Sequence, residues 1–229
     1  MSGATPMKTE DIEKVIENKY SLLLTSLILL AILSILTFES STLHFFTESV
    51  LSTIVFIIML KILKASRFLF IFFIIITFVA LLSHYLALFV LQNRLLGTPA
   101  MIGYALLIGT LIVFMIRRIF SEKMVTSDTV KGGISVYILL GIWWEVLYSL
   151  LWLYYPDAFV FNIDHESARP DFLYFSYSTM TTLGYGDILP RTHIARVLSM
   201  IQVLTGQIYL AVFVARLVGL HNVVHRSKK

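Results

Sequence analysis

The chain contains no cysteine, which excludes a disulfide framework, a thiolate metal site and a cysteine nucleophile. Charge is scarce too: 14% of its 229 residues are charged, where a soluble domain carries roughly 25%. What replaces charge is apolar surface, with 58% of residues hydrophobic. No polar stretch is long enough to enclose a core of its own. The first twenty residues are mixed in charge (Lys8, Glu10, Asp11, Glu13, Lys14, Glu17, Lys19), unlike a cleavable secretory leader. The net charge of +4 comes from residues in short segments between apolar runs, so it points to no nucleic-acid partner. Catalysis also finds no support. His44, His84, His193, His221 and His225 are scattered along the chain, without a nucleophile and an acid at converging spacing. The composition is that of an integral membrane protein whose work is done in the bilayer and which is not an enzyme.

Apolar runs near the roughly 20 residues needed to cross a bilayer occur at about 20–38, 46–62, 68–92, 99–116, 134–155 and 194–220. A shorter one at about 171–182 cannot span. The predicted fold is an all-α membrane protein with six transmembrane helices and a re-entrant helix. The expected division is 1–128, an N-terminal cytoplasmic segment with a peripheral four-helix bundle; 129–220, a helix–loop–helix module; and 221–229, a short cytoplasmic tail. Arg117 to Gly133 reads as a polar connector between the first two. Fourteen of the 18 Lys and Arg residues fall on the side that holds the N-terminus. This predicts both termini in the cytoplasm of a cell whose plasma or inner membrane carries the protein.

One stretch departs from this pattern: Thr181-Thr182-Leu183-Gly184-Tyr185-Gly186-Asp187, followed by Pro190. Alternating glycines permit backbone angles that a Cβ resists, and those angles let successive carbonyls point the same way. A dehydrated monovalent cation needs such an oxygen cage. Non-helical backbone at membrane depth is tolerated where it lines a watery path. The motif Thr182 to Asp187 resembles the selectivity filter of the tetrameric potassium channels, and the resemblance extends over residues about 134–220. It implies K+ as the permeant ion, held by the carbonyls of Thr182, Leu183, Gly184 and Tyr185 and the Thr182 hydroxyl, with Gly186 closing the filter. It implies no other cofactor. One filter per chain cannot surround an ion, so the partner is the chain itself, as a homotetramer in membrane lipid.

Asp171 to Thr182 is the expected pore helix, started by Asp171 or by Arg169-Pro170. Filter support is assigned to Tyr174, Ser178, Thr181 and Asp187. Many relatives carry a Trp pair where Tyr174 and Phe175 stand here, and some carry a glutamate at the position of Ser178; the collar around the filter therefore departs from the family pattern. Gly206 reads either as a hinge of the last helix or as a site of close packing. Gln207 either lines the cavity or bonds a neighbouring helix. Ala211, Ala215 and Gly219 form a small-residue stripe suited to a helix crossing and an inner gate. Glu145, in mid-membrane, is either a proton- or cation-sensing group or a partner of pore-helix hydroxyls such as Ser176, Ser178 and Thr179. The run 99–116 holds no charge, whereas a voltage sensor needs repeated arginines through the membrane, so conventional voltage gating is not expected. The stimulus stays open among a constitutive pore, filter gating, lipid or tension, pH and a separate regulatory subunit. A poorly selective cation channel and a non-conducting channel subunit are the competing readings.

Overall fold

The computed structural model describes residues 19–37, 53, 71, 75, 78, 79, 82, 98–122, 125–162 and 171–226. Among them the elements are α1 (Lys19–Thr37), α2 (Thr98–Ser121), α3 (Ser127–Tyr154), a 3₁₀ turn (Pro156–Ala158), β1 (Phe159–Phe161), α4 (Phe172–Met180), β2 (Ile188–Pro190) and α5 (His193–Arg226). Three stretches of these helices are long and apolar enough to cross a membrane: Met101–Ser121, Ser127–Tyr154 and His193–Gly219. They match three of the six expected spans. The span expected at 20–38 coincides with α1, whose apolar helical stretch Tyr20–Leu30 is shorter. The spans expected at 46–62 and 68–92 lie, apart from isolated positions, outside the described residues.

Two expectations need correction. The segment from Arg117 to Gly133 is mostly helix, because α2 runs on through Ser121 and α3 begins at Ser127. Thr126 explains that early start. Its Oγ1 accepts from the Thr129 N–H at 3.1 Å, and Thr129 Oγ1 accepts in return from the Thr126 N–H at 3.2 Å. This is a reciprocal cap with threonine in the place of the usual glutamate. The all-α prediction also lacked a strand pair. β1 and β2 form an antiparallel ribbon with Phe159 opposite Pro190, Val160 opposite Leu189 and Phe161 opposite Ile188.

The chain divides into two compact units, one of residues 1–65, 115–136 and 220–229 and the other of 66–114 and 137–219. In the first, Tyr20, Leu23 and Leu27 are buried along one face of α1. The Asp128 carboxylate accepts from the Tyr20 N–H at 2.9 Å, placing an anion on an unpaired amide at the start of α1. Gly132 leaves room for the Tyr20 ring, which a Cβ there would meet at 3.0 Å.

In the second unit, Trp144, Tyr148, Ala158, Phe159, Phe172, Phe175, Ile188 and Ala195 form a buried cluster. It draws on α3, the ribbon, α4 and the start of α5. Tyr148 is the hub, with Phe175 at 5.0 Å and Phe159 at 5.6 Å between ring centroids, both edge-on, a favourable aromatic geometry. Trp143 Nε1 donates to the Ala105 carbonyl at 2.8 Å, tying α3 to α2 where Gly109 makes room for the indole. These contacts hold α4 and the segment after it against α3 and α5.

Candidate functional site

α4 starts where the sequence places an acid. Asp171 is its N-cap, and its carboxylate accepts from the Tyr174 N–H at 2.8 Å, satisfying one of the free amides of the first turn. The helix ends at Met180, so Thr181 and Thr182 form a turn beyond it and the expected end at Thr182 comes too late.

Past that turn the backbone changes hand at alternate residues. Thr182 has φ 63°, Gly184 56° and Gly186 84°, and no other described residue has positive φ. Leu183 and Tyr185 between them are therefore of ordinary hand. A threonine at positive φ is strained, and here the amides around it are all spoken for. The Thr182 N–H donates to the Thr179 carbonyl at 3.1 Å. The Leu183 and Gly184 N–H groups donate to the Ser178 carbonyl at 2.8 and 3.2 Å. Ser178 Oγ takes a second bond from the Gly184 N–H at 3.1 Å. The segment thus hangs from the end of α4 by its donors. Among the described residues, no donor reaches the carbonyls of Thr182, Leu183, Gly184 or Tyr185. An ideal Cβ on Gly184 or Gly186 would meet nothing within 4 Å.

The far end of the segment is held by two aromatic groups and the ribbon. Tyr174 stacks on Tyr185 with centroids 6.4 Å apart and planes 6° from parallel. Asp187 accepts from the Ile188 N–H at 3.1 Å. Phe175 makes no polar contact there; it is buried among Tyr148 and Phe159.

Behind α4 lies a polar chain that sequence reasoning missed. Gln202 of α5 is fully buried. Its Nε2 donates to the Ser176 carbonyl at 2.9 Å and to Ser176 Oγ at 2.7 Å. Its Oε1 accepts from the Tyr148 hydroxyl, and Ser176 Oγ donates to the Gly141 carbonyl at 2.7 Å. One side chain links α3, α4 and α5. The visible signal was a lone amide inside the apolar run of residues 197–204.

Gly206 and Gln207 meet the end of α4. A Cβ on Gly206 would come within 2.5 Å of the Met180 side chain and 3.3 Å of its carbonyl, so the close-packing alternative has a named neighbour. α5 is an unbroken helix through this position. Gln207 Nε2 donates to the Met180 carbonyl at 3.2 Å, the helix-bonding alternative. Ala211, Ala215 and Gly219 are exposed on the chain, and nothing stands within 4 Å of a Cβ at Gly219. Glu145 Oε1 accepts from Ser149 of its own helix at 3.1 Å, while the hydroxyls of Ser176 and Ser178 are engaged as described above.

No curated protein and no solved structure matches the chain. Residues 142–220 match the family model described as ion channel. The three membrane-length helices make the chain a membrane protein, and the stretch from the middle of α3 through α4 and the Thr181–Asp187 segment into α5 is similar to an ion channel domain.

Proposed function

We propose that four copies of the chain surround a pore that conducts K+ passively, with Thr182, Leu183, Gly184, Tyr185 and Gly186 of each copy as its selectivity filter. The observation that carries this reading is the alternation of backbone hand over Thr182, Gly184 and Gly186, with the Thr182, Leu183 and Gly184 amides bound to α4 and, among the described residues, no donor on the carbonyls of Thr182, Leu183, Gly184 and Tyr185. A β-strand points successive carbonyls to opposite sides. Alternating hand brings them to one side, and four such rows make a stack of oxygen rings that replaces an ion's hydration shell. Unpaired carbonyls at membrane depth are unfavourable unless water or an ion answers them.

The exposed residues support the assembly. Leu183 and Tyr185 are 54% and 69% exposed on the single chain, although they belong to the stretch similar to an ion channel domain. α5 leaves Ile201, Leu204, Ile208 and Val212 uncovered. Neighbouring copies would cover the first pair, and copies and lipid the second. The C-terminal end of α4 directs its partial negative charge toward the same place and favours a cation there. Tyr174 and Asp187 would stand at the outer mouth, with both termini in the cytoplasm of the cell membrane. α2 carries Arg117 and Arg118 only near its end, so the pore is not conventionally voltage-gated, and its stimulus acts through another route or another subunit.

The test is cation flux through the purified protein in liposomes, with K+ and then Na+ as the only permeant ion. K+ flux blocked by barium, without Na+ flux, is the expected result. Equal flux of both ions refutes selectivity. No flux from an intact tetramer supports a closed gate, and no flux from a monomer supports a non-conducting subunit.

A further inference from the structure

Asn162 follows β1 and stands opposite Asp187 when the ribbon register is continued by one pair. It grips the end of the Thr181–Asp187 segment at two successive carbonyls. Its backbone N–H donates to the Asp187 carbonyl at 2.8 Å, and its Nδ2 donates to the Gly186 carbonyl at 3.3 Å. Gly186 needs such a grip. It has φ 84° and no neighbour within 4 Å of its Cβ position, so no side-chain packing opposes rotation of its peptide plane. The amides of Thr182, Leu183 and Gly184 bond α4, and the Gly186 carbonyl lies two residues past the last of those ties. The ribbon itself is anchored, since Phe159 and Ile188 belong to the buried cluster around Tyr148.

We infer that Asn162 is a positioning residue for the outermost oxygen ring of the pore, holding the Gly186 peptide in its conducting orientation from the ribbon rather than from α4. This rests on the K+ pore proposed above. The Nδ2 bond occupies one lone pair of the Gly186 carbonyl and leaves the other for a cation. The same bond keeps the peptide from turning away when that ring is empty. An ion in the ring and the Asn162 amide therefore stabilise one orientation together, and removing the amide leaves the ion to do so alone.

The test replaces Asn162 by alanine, and separately by leucine, which has nearly the shape of asparagine but no donor. Both variants keep the backbone N–H and so the ribbon. In planar bilayers, K+ is lowered on the side facing Asp187 and the concentration at which steady conductance falls to half is read. Both variants are expected to need about fivefold more K+ than the wild type, the factor that corresponds to one hydrogen bond of ordinary strength. Variants indistinguishable from a conducting wild type overturn the inference alone. A change in Asn162→Ala that Asn162→Leu restores assigns the effect to packing and also overturns it. A wild type that passes Na+ as readily as K+, or that does not assemble as a tetramer, counts against the proposed function instead. If Asn162→Ala fails to assemble, Asn162→Leu decides by the same concentration.

Discussion

Replacing Gln202 by leucine tests the link between the three helices without presuming conduction. Leucine keeps much of the volume and removes both polar ends. Two partners lose little: the Ser176 hydroxyl retains the Gly141 carbonyl, and the Ser176 carbonyl lies inside α4, where the helix supplies a donor. The Tyr148 hydroxyl is the group left stranded, in a residue with no exposed surface. A buried donor deprived of its acceptor costs about 1–3 kcal/mol, and the lost bonds to Ser176 add roughly 1 kcal/mol. The expected loss is therefore about 2–4 kcal/mol. The measurement is reversible denaturation in micelles. Tyr148→Phe closes a double-mutant cycle: in Tyr148→Phe/Gln202→Leu no hydroxyl is stranded, so the double variant should lose about 1 kcal/mol less than the two single losses together. Gln202→Leu as stable as wild type, or strictly additive losses, would refute the linkage.

Gly184→Ala and Gly186→Ala place a Cβ on residues with φ 56° and 84°, at roughly 1 kcal/mol or more each; K+ flux should vanish while the protein still inserts and assembles, and normal flux in either would remove the filter assignment. Gly206→Leu forces atoms onto the Met180 side chain and carbonyl, and should lower stability by about 1–3 kcal/mol; thermal unfolding of the micellar protein checks it. Ser178→Ala removes the hydroxyl that accepts from the Gly184 N–H but leaves the Ser178 carbonyl, so flux should persist with selectivity for K+ over Na+ reduced by less than about tenfold. Arg117→Gln with Arg118→Gln should leave any voltage dependence nearly unchanged, as read from current–voltage curves.

Much of the site was legible because it depends on local chemistry. Gly184 and Gly186 stand where positive φ is required, and Asp171 starts α4 as an acid before an apolar run does. Thr126 escaped notice because its reciprocal partner Thr129 is a weaker signal than glutamate. The ribbon escaped because a three-residue strand is too short to show periodicity, and its pairing is fixed by Phe159 and Ile188 entering a shared core. Gln202 was visible as a lone amide, but its partners lie 26 and 54 residues away, and no spacing rule names them.

By itself, then, the sequence determined that the chain is apolar enough for a bilayer and that one glycine-alternating segment interrupts it. Both follow from residue chemistry that acts at the residue itself. Tertiary structure decided how the supports read from the sequence act, Ser178 on the Leu183 and Gly184 amides and Tyr174 on the Tyr185 ring, and it alone added Asn162 at the Gly186 and Asp187 carbonyls. Those choices depend on which side chains folding brings within about 3 Å of one another, the distance at which hydrogen bonds act.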